Sequence, residues 1–181
     1  MANPRKLLKL KPHGFQFIQE LPIDAPPARV WQSLLNIAGW WRFGPDDRPN
    51  VTLEAWPGGR FFSERNDDGN VVQSLHGLVT HIEPNRLLRI GGQMGLSHLP
   101  VMHALIWELQ PRKGGDATLL RFAQRTFGFM DADVKKRYQG GWKILFPQLK
   151  ALAESVSFAA QSGSNGSRTA RRRKKAAAAT A

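Results

Sequence analysis

The sequence predicts an α+β domain, with an antiparallel sheet packed against a long C-terminal helix. Three observations predict it. An alternating apolar stretch over 15–23 is stopped by Pro26-Pro27 and followed by a short helical pattern. Paired strand signals separated by turn clusters fill 51–126. A helical period then runs from Val134 to Leu152.

The elements follow in order. Phe15, Phe17, Leu21 and Ile23 share one parity, broken only by Gln19, and read as a strand. Pro26-Pro27 suits the first turn of a helix. The pairs Val30/Leu34 and Trp31/Leu35 continue that helix over 27–37, and Gly39 ends it just before Trp40-Trp41. Strands are expected over 51–56 and 60–65, on either side of the turn Pro57-Gly58-Gly59. The cluster 66–70 closes a hairpin into a long strand over 71–83, and Pro84-Asn85 leads to another over 86–91. A last hairpin joins 101–110 to 117–126 through the turn residues 111–116. Consecutive hairpins imply antiparallel pairing. In the final helix, Val134, Tyr138, Trp142, Leu145, Leu149 and Leu152 are spaced 4, 4, 3, 4 and 3, a mean of 3.6 residues. Asp131 and Asp133 stand where acids favour a helix N-terminus. Gly140-Gly141 cost the helix about 1 kcal/mol each. They read as small residues that let it lie close to the sheet. Pro147 predicts a kink or a break. Strand, helix, antiparallel strands and long helix in this order make a helix-grip fold.

Composition narrows the chemistry. The chain has 181 residues, 41% of them hydrophobic, which allows one packed domain. It has no Cys, which excludes disulfides, thiolate metal sites and cysteine nucleophiles. No apolar run is long enough for a membrane-spanning helix, and the basic start lacks the apolar stretch of a signal peptide, so the reading is cytoplasmic.

Charge divides the chain into three parts. Residues 1–14 form a basic N-terminal arm holding Arg5, Lys6, Lys9 and Lys11. Residues 158–181 have the composition of a disordered tail, in which a Gly/Ser-rich stretch precedes Arg168, Arg171, Arg172, Arg173, Lys174, Lys175 and an alanine run. These ends account for ten of the twelve net positive charges, so the body over 15–157 is nearly neutral. The clustered tail cations read either as a solubilising end or as a non-specific site for nucleic acid or another polyanion.

Several segments of the body resemble a known family. The stretch Leu21-Pro22-Ile23-Asp24-Ala25-Pro26-Pro27-Ala28-Arg29-Val30-Trp31 is similar to the opening of START-like (SRPBCC) domains. So are Pro57-Gly58-Gly59-Arg60-Phe61, the stretch from Gly77 to Leu87, and Gly140-Gly141-Trp142 before Leu145 and Leu149. More narrowly, the chain resembles the heat-shock ATPase activator homologue family over about 15–155. The resemblance implies a curved antiparallel sheet gripping the C-terminal helix, with a cavity between them. It implies a small apolar ligand, held as by a sensor or carrier. Related folds also include polyketide cyclase/aromatase enzymes, and the family's eukaryotic namesake binds a chaperone, so a cyclase-like enzyme and a protein-interaction module are the alternatives. The matching segments are fold motifs, and they carry over no catalytic residue and no cofactor.

The residues themselves point the same way. His76 and His81 are five apart, as are His98 and His103, so neither pair shares a strand face and no metal site is expected. His81 and Glu83 do share a face, of the solvated kind. No nucleophile elbow and no Walker loop occurs; Gly91 to Gly95 reads as a loop over a cavity mouth. Six Trp and ten Phe against one Tyr make a dry aromatic set. Trp31 falls at core period. Adjacent Trp40 and Trp41 do not both turn inward easily, so one of them is expected at a pocket rim. With Met94, Met102, His103, Arg125, Tyr138 and Trp142 they form the expected ligand-binding set.

Overall fold

The computed structural model describes residues 10–44 and 50–155. The first nine residues of the basic arm and all of the tail cations lie outside the described residues.

Seven strands form one antiparallel sheet. They are β1 (Lys11–Ile23), β2 (Asn50–Leu53), β3 (Arg60–Asp67), β4 (Asn70–Glu83), β5 (Leu87–Gly92), β6 (Val101–Arg112) and β7 (Ala117–Met130). The order across the sheet is β1-β7-β6-β5-β4-β3-β2. Two helices complete the fold, α1 (Pro27–Leu35) and α2 (Val134–Glu154). The order is the helix-grip order expected from the sequence.

Alternation explains which face each strand buries. On β6, Val101, His103, Leu105, Trp107 and Leu109 are buried, while Met102 and Ala104 are exposed. On β7, Leu120, Phe122, Gln124 and Thr126 point inward with the same period of two. The pairing Leu105↔Gln124 and Trp107↔Phe122 brings the two inner rows side by side. α2 lays Trp142, Leu145, Phe146, Leu149 and Ala153 on that inner face. The sheet curves around it, and register shifts between Phe61 and Phe62 and between Val79 and His81 mark bulges that bend β3 and β4.

Three details differ from the sequence reading. β1 starts at Lys11, four residues before the alternation begins, because Lys11 to Gly14 are exposed and join the sheet through the backbone of β7. α2 runs unbroken through Pro147. Pro147 and Lys143 both lie on its exposed face, so the carbonyl that loses its partner is open to water. The glycines do not mediate a close helix–sheet contact. A Cβ on Gly140 would meet nothing within 4 Å, and one on Gly141 would meet only the Phe43 ring, at 3.5 Å. The close approach occurs at another glycine pair, in the sheet. A Cβ on Gly92 would lie 2.3 Å from the Gly77 Cα, and one on Gly77 would lie 2.7 Å from the Gly91 carbonyl oxygen. Only glycines let β4 and β5 come together this tightly before the chain leaves the sheet.

Candidate ligand cavity

That departure builds a cavity. After Gly92 the chain turns over the inner face, and the N–H of Met94 donates to the carbonyl of His76 on β4 at 2.8 Å. Met94 takes a left-handed conformation, with φ of 48°. The Tyr138 hydroxyl of α2 then donates to the Met94 carbonyl at 2.6 Å. β4, the loop and α2 are thereby joined around a space of about 320 Å³.

The wall comes from four segments. Trp41 and Phe43 follow α1, His76 comes from β4, and Met94 and Leu96 come from the loop. α2 contributes Arg137, Tyr138, Gly141, Trp142 and Leu145. Tyr138, Gly141, Trp142 and Leu145 are spaced as i, i+3, i+4 and i+7, so one helix face supplies them. Gly141 leaves open the space that a side chain would fill. The wall is mostly carbon, and its volume sits at the lower end of the roughly 300–1,000 Å³ range of small-molecule sites.

The aromatic rings are fixed by edge contacts. Trp41 stands edge-on to Phe61 at 5.2 Å and to Trp142 at 5.5 Å between centroids. Trp142 also packs on Trp107, Phe122 and Phe146. A polar chain holds it from behind. The Trp142 indole N–H donates to Gln124 Oε1 at 2.7 Å. An indole only donates, so the Gln124 amide turns its NH₂ toward His103 Nδ1, 2.9 Å away. Nδ1 is therefore an acceptor, also for the Thr126 hydroxyl at 2.8 Å. The His103 proton sits on Nε2, which finds no hydrogen-bond partner among the described residues. Burial lowers the His103 pKa to about 4, so the ring is neutral.

The polar groups in the wall itself are few. His76 Nε2 shares a hydrogen bond with Ser63 Oγ at 2.9 Å, and burial lowers its pKa, keeping it neutral. Ser63 lies outside the cavity lining, so this pair presents no nucleophile to a ligand. Burial raises the Tyr138 hydroxyl to about 12, so it remains a donor. Arg137 supplies a positive charge. Among the described residues no group of three or more His, Asp or Glu is placed to hold a metal ion. His81 bonds to Glu83 at 2.8 Å on a solvated face.

The structure divides the expected ligand set. Trp41, Met94, Tyr138 and Trp142 line the cavity. Trp40 does not. It is fully buried with its indole N–H donating to the Leu34 carbonyl at 3.3 Å, so Trp41 is the rim residue of the pair. His103 stands behind the wall, its ring 4.7 Å from that of Tyr138. Met102 and Arg125 face outward, opposite Phe127 and Ala104 respectively. Parity is the reason. Met102 is adjacent to His103, and Arg125 lies between Gln124 and Thr126, so each points away from its neighbours. Phe43, His76, Leu96, Arg137, Gly141 and Leu145 also line the cavity and were not in the expected set. The helical period counted from Tyr138 reaches Gly141 and Leu145. No local signal marks His76, because a bulged strand and a loop place it.

A family model described as activator of Hsp90 ATPase homolog 1-like protein matches residues 24–154. The chain belongs to the activator of Hsp90 ATPase homolog 1-like family. Solved structures share the fold. An uncharacterised protein from Rhizobium leguminosarum is 19% identical, with a TM-score of 0.63 over 80% of this chain and 97% of that one. Protein CV1439 from Chromobacterium violaceum is 24% identical, with a TM-score of 0.61 over 77% and 97%. A protein described as the Aha1 dimer from Colwellia psychrerythraea is 16% identical, with a TM-score of 0.53 over 77% and 96%. No curated protein matches the chain. The family match spans α1, the sheet from β2 to β7 and all of α2, and so covers every cavity-lining residue. Among the described residues, no helix is long and apolar enough to cross a membrane.

Proposed function

We propose that this activator of Hsp90 ATPase homolog 1-like domain reversibly binds a small apolar molecule, as a sensor or carrier. The observation that carries the reading is the 320 Å³ cavity between α2 and the sheet, walled by Trp41, Phe43, Met94, Trp142 and Leu145. A core built only for stability would close over these rings, since apolar surface left in contact with water forfeits roughly 25 cal/mol per Å². Gly141 leaves the cavity open instead. The cyclase alternative needs converging acid–base groups. The wall offers a His76 already bonded to Ser63 and a Tyr138 already bonded to Met94. Titration with an apolar naphthalene probe tests the proposal. Trp41 and Trp142 line the cavity, so saturable binding near one per chain should change their emission. Absence of saturable binding across a panel of apolar compounds would refute it.

One observation favours a second reading as a protein-interaction module. The outer sheet face exposes Ile18, Met102 and Phe127, the last at 70%. They surround Arg89 and Arg125 across the rows Met102↔Phe127 and Ala104↔Arg125. Exposed apolar side chains interspersed with cations suit a partner surface. The substitution Phe127→Ser should leave probe binding intact and weaken only partner capture, if that face is used.

A further inference from the structure

Arg137 is the one charged residue in the cavity wall. Among the described residues its side chain has no ion pair and no hydrogen bond, and the nearby carboxylates of Asp131 and Asp133 do not reach it. It occupies the first turn of α2 beside Lys135 and Lys136, where no acid is present. Cations in that position oppose the positive end of the helix dipole, so Arg137 is not placed to stabilise the helix. Its side chain nevertheless lines the cavity beside the half-buried Tyr138, and its charge opposes the effect of burial on that hydroxyl.

An apolar cavity with a single unpaired cation at its mouth selects for a matching molecule. We propose that the ligand is a compact apolar monocarboxylate, its hydrocarbon body among Trp41, Met94, Trp142 and Leu145 and its carboxylate on Arg137. This rests on the cavity-binding reading and adds the chemical class of the ligand. Arginine presents a planar pair of N–H donors that fits a carboxylate, and the dry wall beneath has no competing acid. The anion would also offset the crowding of cations at the helix start. A hydrocarbon body alone fits the wall equally well, so the charge is what distinguishes ligands.

Matched acids and amides test the proposal. 2-Naphthoate with 2-naphthamide, and octanoate with octanamide, differ within each pair only in charge. Each is titrated into the full-length protein by Trp emission at low ionic strength. The acid is expected to bind roughly twofold to fivefold more tightly than its amide, the range of an exposed ion pair. The preference should vanish in Arg137→Gln, persist in Arg137→Lys, and shrink at 1 M salt, where the Debye length is about 3 Å. Amide affinity should not change in either variant. The tighter pair distinguishes an aromatic from a fatty-acid source. Equal binding of acid and amide, or a preference that survives Arg137→Gln, overturns the proposal while the bound amides keep the cavity reading. Failure of all four compounds to bind overturns both.

Discussion

The Tyr138 hydroxyl and the Met94 carbonyl, 2.6 Å apart, join the C-terminal helix to the loop that leaves β5. The Met94 N–H is bonded on its other side to His76 of β4. One residue in a left-handed conformation therefore ties helix and sheet together at the cavity mouth. The loop is held by these two bonds and by the packing of Leu96 against Leu99 and Val101.

Tyr138→Phe keeps the ring and removes the bond. We expect a loss of about 1 kcal/mol in denaturant unfolding, the net value of one such hydrogen bond. The larger change should be local. Amide exchange at Met94 and Leu96 should rise well above the global opening rate, and probe dissociation should quicken. Unchanged exchange at these amides would mean that the Met94–His76 bond and the packing hold the loop without Tyr138.

Gly141→Leu separates space from stability. The helix gains roughly 0.8 kcal/mol in propensity. The new side chain starts in open space, with only the Phe43 ring 3.5 Å from its Cβ. The melting temperature should hold or rise, and probe binding should disappear because leucine occupies the cavity. A variant that melts several degrees lower would show that the helix packs tightly here.

The sequence made the frame legible. Alternation located β1, turn clusters bounded β2 to β7, and the helical period located both helices, because turns and regular faces are local features of the chain. The same periods settle Met102 and Arg125 once His103 and Gln124 are placed inside. The cavity was less legible. Tyr138 and Trp142 follow from the period of α2, but His76 and Met94 meet through a bulge, a glycine pair and a left-handed residue. Those features depend on contacts between β4 and β5 that no local pattern records. Gly141 was legible as unusual, but not for its reason, since an empty volume leaves no mark on its neighbours in sequence.

Truncation after Ser157 tests the separation of the domain from the tail. α2 makes its last buried contact at Ala153, and the Ser155 hydroxyl donates to the Leu152 carbonyl at 2.9 Å, completing the helix end. The truncated protein should therefore keep its melting temperature and its probe affinity. The removed residues 168–175 hold six positive charges in eight positions. If they bind polyanions, full-length protein should bind duplex DNA with a log–log salt slope of up to about −5, and truncation should remove most of it. Equal DNA binding by both forms at low salt would place the site on the body.

His103 sets a pH dependence. Its ordinary pKa of 6.5 falls to about 4 in the folded protein because burial disfavours the charged ring. Gln124 and Thr126 occupy Nδ1, and the Tyr138 ring packs against it, so no carboxylate offsets that cost. The unfolded chain thus takes up a proton at a pH where the folded chain does not. The stability supplied by the neutral ring is full above pH 6.5 and is lost as pH falls toward 4. Each pKa unit is worth about 1.4 kcal/mol, so the loss could reach about 3 kcal/mol. His76, also lowered by burial, adds to the same slope. His103→Gln should flatten it, since the amide oxygen can accept from Gln124 and Thr126 without titrating. Urea unfolding of both proteins from pH 7.5 to 4.5 measures the difference. Parallel slopes would mean that His103 becomes charged in the folded state, and that the chain from Trp142 through Gln124 leaves room for its second proton.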